Sequence, residues 1–167
     1  MKFLSILALL TAIAGHAGTL EGRIIGIADG DTVTILDGSN SQHKIRLAGI
    51  NAPEKKQAFG TRSKESLSDL VFGKTVIVET GKIDRYGRTI GKILVNDIDA
   101  NLEQIKRGMA WHYKGYQREQ SPQDRITYAT AEIDAQTAKR GLWQDVNPTP
   151  PWNFRKATRT PASTRMP

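Results

Sequence analysis

Residues 20–36, with the sequence LEGRIIGIADGDTVTIL, contain two apolar runs on either side of an Asp-Gly-Asp turn. Apolar residues alternate with threonine after the turn, and Asp-Gly is a typical hairpin dipeptide. We therefore predict that residues 20–27 and 32–36 form two antiparallel strands. Three further predicted strands comprise residues 44–47, 75–80 and 89–95. Five short strands of this kind favour a small closed barrel.

Three helices are predicted between and after these strands. The first spans residues 57–72 and the second spans residues 101–107, and a glycine follows each of them. The third begins at Ser121 as its cap, with Pro122 in the first turn, and closes at residues 139–141. Its predicted buried stripe comprises Ile126, Ala129 and Ile133. The predicted fold class is α+β, mainly β: a five-stranded OB-fold barrel with about three packed helices.

The composition of the chain suits a polyanionic partner. Its 167 residues carry a formal net charge of +7 at pH 7. Basic side chains that contact phosphates release condensed counterions, so this charge is typical of nucleic-acid binding. A positive surface that only keeps the protein in solution explains the charge equally well. The chain has no cysteine, which excludes disulfides and thiolate metal sites.

Residues 1–17 have the pattern of a secretory signal peptide. Lys2 gives a positive start, residues 3–14 form an apolar run, and Gly15 and Ala17 are small residues suited to cleavage. A transmembrane anchor is the alternative, but the run is shorter than the roughly 20 apolar residues of a membrane span. We expect export to the periplasm or the medium, no stable membrane association after cleavage, and a monomer.

The rest of the chain is predicted to divide into a barrel domain at residues 18–143 and a proline-rich, basic tail at residues 144–167. The Asn-Pro-Thr-Pro-Pro segment of the tail argues against a helix or a central strand. Trp152 and Phe154 are expected to pack the start of the tail back on the domain. Residues 156–167 are predicted to be disordered, and solvation explains their basic side chains better than nucleic-acid binding does.

Three short segments carry the residues that indicate a reaction: residues 29–33 (DGDTV), 46–54 (RLAGINAPE) and 84–88 (DRYGR). The first offers carboxylate oxygens, which suit calcium or magnesium. The second and third each provide an arginine that can bind phosphate in a forked manner. Glu54 is then a carboxylate free to accept a proton. These groups together suit the hydrolysis of a phosphodiester.

Each segment alone also has an ordinary structural explanation. Asp-Gly-Asp-Thr is a common turn signal. Arg46 can be a solvent-facing strand residue, Glu54 can be an acid at a helix N-terminus, and residues 84–88 can be a basic hairpin loop. Their occurrence together, in this order and spacing, favours one shared site.

In this combination the chain resembles the staphylococcal nuclease (thermonuclease) family, as a secreted bacterial member, from about residue 21 to Trp143. The resemblance implies the barrel fold of that family. The catalytic residues that it implies are Arg46, Glu54 and Arg88. The ligands that it implies for one calcium ion are Asp31, Asn51, the backbone carbonyl of Ala52 and the nearby Asp29.

One ligand position departs from the family pattern. The family usually has a second aspartate where this chain has Asn51. An amide oxygen still binds calcium, but it carries no charge, and calcium affinity depends on the number of charged ligands. We therefore expect weaker metal binding than in a relative with aspartate at this position, and not loss of the site.

The resemblance also implies contacts with the substrate. Arg85 and Tyr86 lie where the family contacts a terminal phosphate. Trp111 and Tyr113 align with two tyrosines beside the nucleotide pocket, where aromatic rings stack on bases without reading them. Packing in the core explains Trp111 equally well. His112 is expected to face outward and not to bind metal.

The activity that the resemblance implies is endonucleolytic cleavage of DNA and RNA with little sequence specificity, leaving 3′-phosphate ends. A non-catalytic OB-fold module that binds nucleic acid is the main alternative, because such barrels often only bind. A module for oligosaccharides or peptides is a third interpretation, against which the basic charge argues. The presence of Arg46, Glu54 and Arg88 together favours the nuclease.

Overall fold

Eight strands organise the computed structural model, which describes residues 18–159. In chain order they are β1 (Gly18–Asp29), β2 (Thr32–Asp37), β3 (Gln42–Leu47), β4 (Ile50–Asn51), β5 (Thr75–Ile83), β6 (Thr89–Val95), β7 (Ile98–Asp99) and β8 (Trp111–His112). The five longest of them include every strand that the sequence predicts. The short pair β4 and β8 forms a separate antiparallel sheet.

Pairing between the long strands closes a barrel. β1 pairs antiparallel with β2 and with β5, β2 pairs with β3, and β5 pairs with β6. A parallel pairing of β3 with β6 then joins the two remaining edges. The predicted five-stranded OB-fold barrel is confirmed.

Within residues 18–159, four α-helices accompany the barrel: α1 (Gly60–Val71), α2 (Ala100–Lys106), α3 (Pro122–Thr137) and α4 (Pro151–Arg159). The first three confirm the predicted helices. The first begins later than predicted, because Phe59 has φ 65°, a left-handed conformation that cannot continue a helix. Two short 3₁₀ helices, Lys114–Glu119 and Gly141–Gln144, precede and follow α3. None of the helices in residues 18–159 is both long enough and apolar enough to span a bilayer.

The core fills the barrel and the space beneath α1 and α2. Fully buried apolar side chains alternate along the barrel strands, as a one-sided strand requires, and α1 adds Leu67 and Val71 to them. Examples on the strands are Val33, Ile35, Ile45, Val78 and Ile93. This core fixes the strand register and therefore the positions of the loops at the barrel ends.

The buried face of α3 was predicted wrongly. Ile126 and Ile133 are 65% and 60% exposed, whereas Tyr128 and Glu132 are buried. The Tyr128 hydroxyl donates a hydrogen bond to Asp99 at 2.7 Å. A polar side chain can occupy a buried face when it finds such a partner, and apolar periodicity does not reveal this.

The C-terminal part of the chain also differs from the expectation. α4 begins at Pro151, since a helix does not need the N–H of its first residue, and it continues through residues 156–159, which were predicted to be disordered. Trp152 packs against the barrel domain, as predicted. Residues 1–17 and 160–167, including the predicted signal peptide, lie outside the described residues. The domain boundary at residue 143 stays a prediction.

Candidate active site

The turn between β1 and β2 packs closely against the loop that follows β4. A Cβ atom at Gly30 would overlap the Ser63 hydroxyl and would lie 2.8 Å from the Cβ of Ala52, so the position accepts only glycine. The Gln104 amide donates a 2.8 Å hydrogen bond to the Gly30 carbonyl. This close approach places the acidic turn beside residue 52.

Asp31 is the centre of the hydrogen-bond network at this turn. Its Oδ2 accepts a 2.6 Å hydrogen bond from the Ala52 N–H and lies 3.0 Å from Nη2 of Arg46. Its Oδ1 accepts a 3.1 Å hydrogen bond from the Thr32 hydroxyl, and its own N–H donates to Asp29 at 3.0 Å. Asp29, Asp31, Arg46 and Ala52 are therefore joined in one cluster.

The charge of Asp31 is only partly compensated by its partners. Burial raises the pKa of Asp31 to about 6, the nearby Asp29 acts in the same direction, and the Arg46 guanidinium opposes both. The negative charge of this buried carboxylate, which lies beside a second carboxylate, is therefore not fully neutralised by Arg46. Such a position is chemically suited to a cation.

Arg46 is held in place from two sides. The register of β2 and β3 sets Arg46 opposite Thr32, so its guanidinium reaches Asp31 across the strand pair. Nη1 of the same guanidinium donates a 2.8 Å hydrogen bond to the Leu47 carbonyl. An arginine fixed in this way loses little conformational freedom when it binds a phosphate.

Arg88 is fixed by the loop between β5 and β6. The Asp84 carboxylate accepts hydrogen bonds from Nε of Arg88 at 2.8 Å and from the Arg88 backbone N–H at 2.9 Å. Nη2 of Arg88 lies 2.7 Å from the same carboxylate. Partial burial alone would raise the pKa of Asp84, but the hydrogen bonds from Arg88 and Tyr86 hold it below its usual value. Gly87, with φ 75°, supplies the left-handed residue of the turn.

The two arginines are brought toward the same part of the barrel by the parallel strand pair. Ile45 of β3 lies opposite Thr89 of β6, so Arg46 and Arg88 flank this pair. In the same loop, Arg85 donates to the Tyr86 hydroxyl at 2.7 Å, and its guanidinium lies 4.8 Å from the centre of that ring. The Tyr86 side chain remains open to solvent.

Asn51 and Glu54 meet at an arginine that the sequence motifs did not single out. Nη1 of Arg155, on α4, lies 2.5 Å from Oε1 of Glu54 and 3.5 Å from the amide oxygen of Asn51. Asn51 is buried, whereas the side chains of Arg155 and Glu54 are 36% and 38% exposed. The sequence signal that could have revealed this contact is a proline pair followed by two aromatic residues, at a helix start.

The predicted substrate aromatics contact α4. The Trp111 ring meets those of Trp143 and Trp152 edge-on, at 4.3 and 5.7 Å between centroids. The Tyr113 ring lies 5.6 Å from Trp152. Both residues remain partly exposed, and their role in substrate binding stays a prediction. His112 was expected to face outward, but it is 2% exposed and its Nε2 lies 2.9 Å from Gln120.

The oxygen atoms near Asp31 are of the type that a hard cation prefers. The predicted donors are the carboxylates of Asp29 and Asp31, the amide of Asn51 and the carbonyl of Ala52. Asp29 and the Ala52 backbone contact Asp31, whereas the amide oxygen of Asn51 contacts Arg155 at 3.5 Å. Residues 18–159 contain no group of three or more His, Cys, Asp or Glu that could hold a metal ion. With Asp29 and Asp31 as its two carboxylates, the predicted donor set falls short of such a group, and the cation site stays a prediction.

The barrel and the chemistry of these side chains are those of an enzyme that acts on phosphodiesters. Guanidinium groups bind phosphate, and a carboxylate can accept a proton from water. Comparison with known proteins agrees with this class. The family model described as "Staphylococcal nuclease homologue" matches residues 44–145.

Three known proteins are similar in sequence to this chain over most of its length. An "Uncharacterized endonuclease" of Haemophilus influenzae is 42% identical over 155 residues, covering 93% of this chain and 83% of the relative. A "Micrococcal nuclease" of Shigella flexneri is 36% identical, covering 83% and 82%. "Protein ParB" of Escherichia coli is 33% identical, covering 93% and 90%.

The chain belongs to the staphylococcal nuclease family. It is a nuclease that hydrolyses the phosphodiester bonds of nucleic acid. The family and the enzyme class predicted from the three motifs are thereby confirmed.

Proposed function

We propose that this nuclease is a calcium-dependent endonuclease that cleaves both DNA and RNA with little sequence preference and leaves 3′-phosphate ends. The observation that supports it most is the position of Asp31. One carboxylate joins the Ala52 backbone to the Arg46 guanidinium, which links the proposed metal ligands to a proposed catalytic arginine. Membership of a nuclease family that generally requires calcium supports the same metal.

Asp31, Asn51, the Ala52 carbonyl and Asp29 would hold the calcium ion. When bound, the ion supplies positive charge beside the phosphodiester. Among these ligands, Asp31 is a buried carboxylate and Asn51 is a buried amide without charge. We therefore propose weaker calcium binding than in a relative with aspartate at position 51.

The remaining chemistry falls to three side chains. Glu54 orients the attacking water and accepts its proton. Arg46 and Arg88 donate hydrogen bonds to the phosphoryl oxygens, and these bonds strengthen as negative charge develops there. The water oxygen bonds to phosphorus as the bond from phosphorus to the 5′-oxygen breaks. The 5′-oxygen takes a proton from solvent and leaves as a hydroxyl, and the phosphate stays on the 3′ side.

Weak sequence preference is consistent with the groups available for binding. Arg85 and Tyr86 offer a guanidinium and an exposed ring, while Trp111 and Tyr113 offer ring faces and edges. Guanidinium groups bind any phosphate, and aromatic rings stack on any base. None of these contacts requires a particular base.

Export and a monomeric state complete the proposal. The basic start and apolar run within residues 1–17 support cleavage of a leader and release to the periplasm or the medium. N-terminal sequencing of the mature protein from the two fractions would test export, and light scattering would test the monomer.

A cleavage assay tests the proposed activity and its metal. We expect plasmid DNA and an oligoribonucleotide to be cut with calcium and to stay intact with EDTA. Arg46→Ala should lower kcat by about 10²–10³, the cost of losing a donor to the transition state. The matched control is Arg23→Ala on β1, an exposed arginine whose guanidinium contacts the Gly73 carbonyl. Cleavage in EDTA would refute the calcium requirement, and parental kcat in folded Arg46→Ala would refute the role of Arg46.

A further inference from the structure

The C-terminal helix α4 places a guanidinium at the proposed general base. Nη1 of Arg155 is the atom that contacts both Glu54, at 2.5 Å, and Asn51, at 3.5 Å. A guanidinium has five N–H donors, so contacts through one nitrogen use only part of its capacity. Arg155 can therefore serve a second acceptor at the same place.

The position of Arg155 is built into the fold. Trp152, one turn earlier on α4, packs on the rings of Trp111 and Tyr113. The Gln57 side chain donates a hydrogen bond to the Thr149 carbonyl just before the helix. The helix is thus held by one contact just before its first residue and by others within its first turn, and Arg155 projects from a supported element.

Charge explains why a further arginine is useful beside Glu54. Glu54 is negative, and a phosphodiester that approaches it for hydrolysis is also negative, so the two repel each other. An arginine beside Glu54 offsets this repulsion. While Nη1 of Arg155 donates to Oε1 of Glu54, however, that oxygen is not free to accept a proton from water.

We propose that Arg155 is a fourth phosphate-binding guanidinium of the active site, in addition to Arg46, Arg85 and Arg88. In the free enzyme it neutralises Glu54, and when nucleic acid enters, its hydrogen bonds pass to a phosphate oxygen of the substrate and Glu54 is released to act as the base. Both side chains are more than a third exposed, so this exchange needs only a change of rotamer at the site edge. The inference rests on the proposed nuclease site and extends its substrate contacts to α4.

Two measurements on the full-length protein test the proposal. The first is steady-state cleavage, and the second is binding of a fluorescent single-stranded oligonucleotide in EDTA, followed by anisotropy. Arg155→Ala should raise both KM and Kd about tenfold or more, the usual effect of losing a charge-assisted hydrogen bond. Its kcat should change by less than about threefold, because the contact forms before the transition state.

Conservative variants and a matched control separate this role from a structural one. Arg155→Lys should recover part of the loss, since lysine keeps the charge but not the forked geometry. Arg155→Gln keeps hydrogen-bonding capacity without charge and should behave like the alanine variant. Arg159→Ala removes the same charge from an exposed position one turn later and should change Kd by less than about twofold.

Two results would overturn the proposal. If Arg155→Ala matches Arg159→Ala in both KM and Kd, Arg155 does not bind substrate. If Arg155→Ala raises kcat while KM and Kd stay unchanged, the arginine only blocks Glu54. Failure of the proposed nuclease mechanism would appear separately, as absence of cleavage by the parent, while binding in EDTA would still decide the role of Arg155.

Discussion

Asp31 shows how the tertiary surroundings of one residue change the interpretation of a turn motif. The Asp-Gly-Asp sequence alone is compatible with an ordinary hairpin turn. In the structure, Asp31 is buried, bonded to the backbone of Ala52 and paired with Arg46. A turn on the surface would leave that carboxylate in water, so this turn differs from an ordinary exposed hairpin turn.

Burial of Asp31 makes the stability of the metal-free protein depend on pH. The pKa of Asp31 is raised from 3.8 to about 6 in the folded state, so folding favours its protonated form. The contribution of protonated Asp31 to the free energy of unfolding is fully present below pH 4 and is lost as pH rises through 6. We expect the free energy of unfolding in EDTA to fall by up to about 3 kcal/mol from this residue between pH 4 and pH 7.

Asp31→Asn provides the reference for this measurement. The amide keeps the shape of the side chain but does not titrate, so the stability of the variant relative to the parent should increase from pH 4 to pH 7. Urea unfolding at several pH values gives both curves. Parallel stability curves for parent and variant would show that burial does not raise the pKa of Asp31 in the folded protein.

At the scale of elements, α4 is the part that changes the description of the site most. Its aromatic residue Trp152 covers the side of Trp111 and Tyr113, and its Arg155 reaches Glu54. The prolines before it suggested an irregular tail. They instead mark where a helix starts, and the aromatic contacts supply the energy that holds so short a helix in place.

Trp152→Ala should loosen this helix and destabilise the fold. We expect a loss of about 2 kcal/mol, less than for a fully buried tryptophan because Trp152 is half-buried. Urea unfolding measures the loss, and amide hydrogen exchange of residues 151–159 locates it. Asn153→Ala, at the exposed neighbouring position, is the control. Equal stability of the two variants would mean that the rings do not hold α4.

The elements also show where sequence patterns are reliable. Strands of the barrel and the cap of α3 at Ser121 follow from local signals, and the Ser121 hydroxyl accepts the Asp124 N–H at 3.0 Å. The face that α3 buries was predicted wrongly, because Tyr128 and Glu132 find partners on distant segments. Local periodicity carries no information about such partners.

On the scale of the whole molecule, one parallel strand pair decides how the site is assembled. Contact of β3 with β6 closes the barrel and brings the loop of Arg88 to the strand of Arg46. Without that closure, the two arginines would lie on opposite edges of an open sheet. The placement of the Arg88 loop beside the strand of Arg46 is therefore a consequence of the complete barrel and not of any single hairpin.

The charge of the whole chain predicts how binding responds to salt. With a net charge of +7 and four arginines proposed to contact phosphates, we expect binding of single-stranded nucleic acid to weaken steeply with salt. The slope of log K against log salt should be about −3, from about 0.7 for each phosphate contact. The four arginines are Arg46, Arg85, Arg88 and Arg155.

Removal of one of these arginines should reduce the magnitude of the slope. Arg85→Ala is expected to lower it by about 0.7, while Arg23→Ala should leave it unchanged. Fluorescence anisotropy in EDTA at several salt concentrations measures all three proteins. A slope near zero for the parent would mean that binding does not depend on phosphate contacts.

The sequence by itself determined the barrel strands, the positions of three helices and the motifs that identify a nuclease of the staphylococcal family. These depend on hydrophobic alternation, turn dipeptides and short spacings, all of which are local. Only the tertiary structure decided that Asp31 is buried, that α3 turns Tyr128 inward and that Arg155 meets Glu54. These contacts join residues far apart in the chain, and their energies depend on burial and on the short distances between charged groups, which exist only once the barrel has closed.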